Sequence, residues 1–343
     1  MREMLNRVIA GDSLSAEEAA DLMGRMMDEE LTPIQLAGFL VALRAKGETP
    51  NEIVGFARTM RNRARTIEIT EPVADTCGTG GDGQGTFNIS TAAALILAAC
   101  GQPVAKHGNR AASGKCGSAD VLEALGVDVA LPPEGVARCI RETGIGFLFA
   151  PAFHPAMKFA AIPRRELGVR TVFNLLGPLT NPAVPRYQLL GVSSVDLLDL
   201  MASSLLQLGM ECALVVHSAD GLDEISVAGK TAVREVRGGE VTAYDITPES
   251  FGLQPRDVSG IRGGDAEINS RMMMDVLSGK PGAARDAAVM NAAAALLAAG
   301  RVPDLQTGAG MAASVLDSHR AFHVLERLRT ASQGARADVG SAA

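Results

Sequence analysis

From about residue 71 the chain alternates short apolar runs with helical stretches, and this constrains its fold more than any other feature. Val73–Thr76, Val104–His107, Gly146–Ala150, Gln188–Val192 and Ala213–His217 read as strands. Helices begin near Thr91, Ser118, Glu134 and Asp196, the last stopped by Gly209. Such alternation predicts an α/β class with a mostly parallel central sheet. Residues 231–246 differ: Thr231–Val236, Arg237-Gly238-Gly239 and Glu240–Ile246 read as an antiparallel hairpin. The end is helical over Asn269–Leu277, Ala283–Ala299 and Met311–Arg329, and residues 331–343 read as a flexible tail.

The segment before residue 69 has another texture. Ser15 with Glu18, Thr32 with Gln35 and Thr49 with Glu52 form three capping-box patterns, and Pro33 and Pro50 stand at first helical positions. Behind them apolar residues recur at helical spacing: Leu22, Met23, Met26; Leu36, Phe39, Leu40, Leu43; Ile53, Phe56, Ala57, Met60. No strand signal interrupts. The expected organisation is a small helical domain over 1–68 and a larger α/β domain over 71–330.

Composition narrows the function. The 343 residues include no Trp and two Tyr, with 3% aromatic content, so the core is expected to be aliphatic and the composition argues against an aromatic base-stacking surface. A net charge of −7 argues against nucleic acid and anionic membrane surfaces as partners, though not against an anion held in a local pocket. Five Cys without a C-x-x-C pair read as reduced thiols, the expectation for a cytoplasmic protein. The opening MREMLNRVIAGDS lacks the apolar core of a secretory signal, and the apolar run Ala92–Cys100 is nine residues, too short for a bilayer.

Four stretches carry chemistry. In the first, Cys77 to Thr91, five Gly in eight positions follow a strand and open a helix. Inward-turned N–H groups and a helix N-terminus make an anion nest, with Thr86, Asn88, Ser90 and Thr91 as side-chain donors. The loop lacks the Gly-Lys-Ser/Thr of a Walker motif and the usual G-x-G-x-x-G fingerprint. In the second, Lys106 to Asp120, the cations Lys106, Arg110 and Lys115 again suit an anion, and two such loops on neighbouring strands would face one crevice. The third, Gly221-Leu222-Asp223-Glu224, puts adjacent carboxylates just after a strand, where a divalent cation plus substrate phosphates would balance them. In the fourth, Pro163 to Pro182, an Arg is available for a carboxylate and Leu175-Leu176-Gly177-Pro178-Leu179 for an apolar wall. The plainer readings are a tight turn, solvated loop charges, a solvated acidic turn and an exposed helix face. They suit each stretch singly better than all four together.

In combination these stretches resemble the anthranilate phosphoribosyltransferase family, over residues 4 to 328 and with every motif in order. The resemblance implies an Mg2+-dependent transfer of the 5-phosphoribosyl group from phosphoribosyl pyrophosphate to the anthranilate amine, in tryptophan synthesis. It implies a homodimer formed through a helical domain that a segment near 163–180 completes. Phosphoribosyl pyrophosphate would be contacted by Gly78, Thr79, Gly81, Asp82, Thr86, Asn88, Ile89, Ser90, Thr91 and Lys106. His107, Gly108, Asn109, Arg110, Ala111, Ala112, Ser113, Gly114 and Ser118 would close over it. Gly78, Asn109 and Arg164 would receive anthranilate, and Gly177 and Pro178 would line its entry. Two Mg2+ per subunit would be held by Ser90 and by Asp223 with Glu224; no residue is assigned as acid, base or nucleophile.

The chain departs from the family pattern in Ser113-Gly114-Lys115-Cys116, where the family usually has Ser-Ser-Lys-Ser, and at Met157, where an aromatic is common. A pyrimidine nucleoside phosphorylase shares the fold but would not need the acidic pair; magnesium dependence separates the two. A nucleic-acid-binding relative would need a basic groove, against which the charge speaks.

Overall fold

The computed structural model describes residues 1–111 and 114–341. Helices α1 (Arg2–Ile9), α2 (Ala16–Met27), α3 (Pro33–Lys46) and α4 (Pro50–Asn62) come first, and all three capping boxes form as the sequence predicts. There follow β1 (Ala74–Gly78), α5 (Ile89–Ala99), β2 (Val104–Gly108), α6 (Ser118–Ala124), α7 (Pro133–Thr143) and β3 (Ile145–Phe149). The chain then leaves the sheet through short helices α8 (Ala150–Phe153), α9 (Ala161–Leu167) and α10 (Val172–Leu176), and re-enters at β4 (Tyr187–Gly191). After α11 (Leu197–Gln207) come β5 (Cys212–Ser218) and the hairpin β6 (Thr231–Arg237) and β7 (Glu240–Ile246). Helices α12 (Ala266–Leu277), α13 (Ala283–Ala298), α14 (Leu305–Asp317) and α15 (Arg320–Ser341) complete the chain.

The sheet has seven strands in the order β3-β2-β1-β4-β5-β6-β7. The first five in that order run parallel, and β6 and β7 are antiparallel, as the hairpin pattern predicts. Side chains alternate between its faces. Leu189 and Leu214 enter a core built with α5, α7 and α13 to α15, whereas Leu190, Ala213 and Val215 enter a second core. That second core joins α1 to α4 with Val172, Phe173, Leu176 and Leu179, so the 163–180 segment packs back on the N-terminal helices. Local periodicity could not show this return, since it depends on what the segment meets.

Two C-terminal expectations are corrected. The predicted helix Met311–Arg329 is two helices, because His319 takes φ 57° and ends α14. The apolar spacing runs on across the break, through Val315, Leu316, Ala321 and Val324, which hid it. Residues 331–341, read as part of a flexible tail, instead extend α15. Ala331 and Ala335 are buried in the main core, and the Ser332 hydroxyl accepts from the Asp128 N–H at 3.0 Å. Ala331, Ser332 and Ala335 therefore pack closely where the composition suggested a frayed end.

The helical unit has a buried charge at its centre. The Glu52 side chain is fully enclosed; its Oε1 accepts from the Leu14 N–H at 3.0 Å, and its Oε2 from Thr49 N at 2.8 Å and Lys46 Nζ at 3.0 Å. A helix cap thus becomes a three-way tie between α3, α4 and the loop before α2. Removing one partner of a buried ion pair leaves the other charge uncompensated, so Glu52→Ala is expected to cost about 3–5 kcal/mol in urea unfolding. A loss like that of a surface cap, about 1 kcal/mol, would show that the tie is not structural.

Candidate active site

The site forms where β1, β2 and β4 end, at the carboxyl edge at which open parallel sheets bind ligands. Gly78 pairs with Gly191 in register across β1 and β4, and Asp223 lies over both. A Cβ on Gly78 would stand 2.4 Å from Asp223 Oδ2, and one on Gly191 would stand 1.5 Å from the Asp223 carbonyl oxygen. Only glycines at these strand ends let the loop after β5 cross so closely. The Gly80 N–H then donates to Asp223 Oδ2 at 2.7 Å. The first and third motifs are therefore one structure, although 143 residues separate the bonded pair.

Glu224 occupies the start of α5. Its Oε1 accepts from the Ser90 N–H at 3.1 Å, on the helix end that favours negative charge. Lys106, buried on β2, donates from Nζ to Thr76 O at 2.6 Å and to Ser90 Oγ at 3.3 Å. Burial, and next the Asp223 carboxylate, push Glu224 well above the ordinary carboxylate range, against the pull of Lys106. Asp223 is pushed up to about 6 by burial and by the neighbouring Asp82. Asp82 Oδ2 is itself buried without a hydrogen-bond partner. Three carboxylates gather here with Lys106 beside Glu224 and Arg170 near Asp223 and Asp82, and their oxygen donors fit Mg2+. No group of three or more His, Cys, Asp or Glu is gathered closely enough to hold a metal by itself among the described residues.

The remaining expected residues divide. Thr79 joins the strand ends, its Oγ1 accepting from the Ser193 N–H at 3.1 Å. Thr86 bridges Arg262 through the backbone. Ile89 and Thr91 are buried at the base of α5, so their side chains face protein and only their backbone lies near the nest. Asn88 is held on both sides: its Nδ2 donates to Cys116 O at 3.2 Å, and its Oδ1 accepts from Asn269 Nδ2 at 2.9 Å. His107 and His154 pack together with ring centroids 5.4 Å apart. Burial drives His107 down to about 3 and His154 to about 4, so both rings are neutral. Gly108 sits against Ser118, whose Oγ donates to Asn109 O at 3.3 Å. Arg110 turns away from the nest and pairs with Asp120 at 3.0 Å and Glu123 at 2.7 Å. Of the second motif's cations, Lys106 alone is built into the nest, while Lys115 is exposed. Ala111 and Gly114 are exposed at the rim, and Ala112 and Ser113 lie outside the described residues. Arg164 stacks over the Phe173 ring at 5.2 Å, and no hydrogen bond or ion pair engages its guanidinium among the described residues.

Sequence reading missed two residues here. Asn269, buried on α12, orients Asn88 across 181 positions and carries no local signal. Arg170 lay within the fourth stretch but drew no role; its guanidinium donates to the carbonyls of Gly80 and Gly81.

The acidic cluster generates a metal test. With Mg2+ and diphosphate added, the wild-type melting temperature is expected to rise. The double variant Asp223→Asn, Glu224→Gln loses that rise, yet without metal is at least as stable, because two buried like charges are gone. A variant that keeps the full rise would show that these carboxylates hold no cation.

No helix of the described residues is long and apolar enough to cross a membrane. A glycosyl transferase family model for the α/β domain matches residues 70–322, and one for the helical bundle domain matches residues 2–64. The anthranilate phosphoribosyltransferase of Symbiobacterium thermophilum is 53% identical over 339 residues, covering 98% of this chain and 99% of the relative. That of Moorella thermoacetica is 51% identical, over 96% of this chain and 97% of the relative. The crystal structure of the Thermus thermophilus enzyme aligns with a TM-score of 0.91 at 47% identity, covering 96% of this chain and 99% of that one. The Saccharomyces cerevisiae enzyme, in complex with PRPP and Mg, aligns at 0.85 and 28% identity, over 94% of each chain. On the matched fold, the full-length relatives and the motifs in their order, the chain belongs to the anthranilate phosphoribosyltransferase family.

Proposed function

We propose that the protein transfers the 5-phosphoribosyl group from phosphoribosyl pyrophosphate to the amine of anthranilate, giving N-(5-phosphoribosyl)anthranilate and pyrophosphate. The observation that carries this reading is the joining, at one sheet edge, of a glycine-rich nest, the α5 N-terminus, Lys106 and the Asp223–Glu224 pair. That arrangement suits a sugar diphosphate that departs as a polyanion.

In this reading the acceptor's amine attacks C1 of the ribose as the C1–oxygen bond to diphosphate breaks, and the attacking nitrogen then gives up one proton to solvent. No side chain acts as nucleophile. The loop from Gly78 to Asp82 presents backbone N–H groups to the diphosphate, and Lys106 and Ser90 face its inner end. When bound, Mg2+ supplies positive charge to the leaving diphosphate; Ser90 would hold one ion, and Asp223 with Glu224 a second. Asn109 and Arg164 receive the acceptor, the guanidinium pairing with the anthranilate carboxylate. The unpaired state of Arg164 against Phe173, among the described residues, supports that role. With neutral His107 and the Gly177–Pro178 wall, the ring of the acceptor, as distinct from its carboxylate, is gripped by backbone and uncharged groups.

The same reading divides the chain into a helical unit over 1–68, completed by about 163–180, and a substrate-binding unit over 71–330. A homodimer through the helical unit is part of it, supported by Ile34 and Val41, which lie exposed two turns apart on α3. Five free cysteines support a cytoplasmic setting.

Mixing protein, anthranilate, phosphoribosyl pyrophosphate and Mg2+ is expected to quench anthranilate fluorescence; a folded protein that leaves it unchanged would sink the reading. Arg164→Ala is expected to raise the anthranilate KM by about tenfold to a hundredfold, as for the loss of a charged hydrogen bond, with the KM for the diphosphate substrate largely kept. Equal loss of both would remove Arg164 from the acceptor site.

A further inference from the structure

We propose that Arg170 is a positioning residue that sets the peptide orientation of the diphosphate loop, an inference that rests on the transferase reading above. Its Nη1 donates to Gly80 O at 2.8 Å and to Gly81 O at 3.0 Å. A trans peptide directs its carbonyl and its N–H to opposite sides, and the described residues contain no cis peptide. With both carbonyls drawn toward the guanidinium, the N–H groups of Gly81 and Asp82, which share those two peptide planes, are turned the other way. One side chain thereby fixes two consecutive donors.

The loop needs such a device. Gly80 and Gly81 take φ of 66° and 74°, and glycines that reach this region also leave it readily. At Gly81 the Arg170 guanidinium occupies the space that a Cβ would need. The two carbonyls are the hydrogen-bond acceptors that Arg170 has among the described residues, and its buried Nη2 has no partner. Burial lowers the Arg170 pKa, and Asp223 and Asp82 oppose that shift, so the cation sits close to the acidic cluster as well.

The placement ties the two substrates together. Arg170 lies on the segment between α9 and α10, six residues after Arg164. This is the segment that leaves the sheet and packs on the helical unit. It also lines, with Arg44, Glu48, Thr171, Ser193 and Asp196, a cavity of about 290 Å3 between α3 and the loop after β4. One excursion of the chain therefore carries the acceptor's Arg164 and the clamp on the donor loop. A shift of the helical unit against the sheet would reach the diphosphate nest through Arg170.

Calorimetric titration of the intact protein with magnesium pyrophosphate, alongside steady-state kinetics, tests this. Arg170→Ala is expected to weaken pyrophosphate binding and raise the KM for phosphoribosyl pyrophosphate by about 10–100-fold, the range typical of residues that orient a binding group, with the anthranilate KM largely unchanged. Arg170→Lys is expected to recover part of the loss, since one ammonium can hold a carbonyl but lacks the planar fork. A lower melting temperature without that selective loss would mark a merely structural role and overturn the proposal. So would pyrophosphate binding by Arg170→Ala equal to wild type, or Arg170→Lys no better than Ala. Wild-type turnover in the same assay keeps these outcomes apart from failure of the transferase reading itself.

Discussion

The structure depends on a concentration of negative charge that the fold builds and does not balance by itself. Asp82, Asp223 and Glu224 converge where three parallel strands end, in surroundings that raise Asp223 and Glu224 above their ordinary range. Lys106, Arg170 and the Ser90 N–H of α5 meet part of that charge. What remains suits a divalent cation carrying phosphate oxygens, so in the proposed reading the cluster, costly in the free protein, would become favourable with substrate. Much of the local architecture follows from holding it: glycines at the ends of β1 and β4, Lys106 buried on β2, and the loop after β5 crossing directly over the strand ends.

A second dependence runs through the excursion between β3 and β4. It leaves the sheet, completes the core of the helical unit with Phe173 and Leu176, and returns past Gly177 and Pro178. Along the way it places Arg164, Arg170 and the Gly177 carbonyl that meets the His107 ring. The helical unit and the α/β unit are therefore tied by one covalent segment, which belongs to the packing of the first and to the loop geometry of the second.

Much of this was legible in the residues because it is local. Capping boxes at Ser15, Thr32 and Thr49 fixed helix starts, and the strands end within a few positions of the apolar runs. The glycine loop and the Asp223–Glu224 pair announced themselves by composition. Other roles were obscured for physical reasons. Arg110 reads as an anion ligand in the sequence, and its ion pairs with Asp120 and Glu123 of the next helix carry no signal in that motif. Ile89 and Thr91 stand in the motif but point into the core, as the first turn of a buried helix must. At the far end, small residues suggested a loose tail, whereas Ala331 and Ala335 pack closely against the main core.

The sequence by itself determined the class of fold, the parallel alternation, the antiparallel hairpin, the helical N-terminal unit and an anion nest after β1, because each follows from periodicity, caps and glycine placement within a few residues. Tertiary structure alone decided which motifs share a site. Asp223 meets Gly80 across 143 positions, Asn269 meets Asn88 across 181, and Arg170 meets the glycine loop across 90. Contacts at such separation are set by strand order and by the two faces of the sheet, and no local pattern of residues records either.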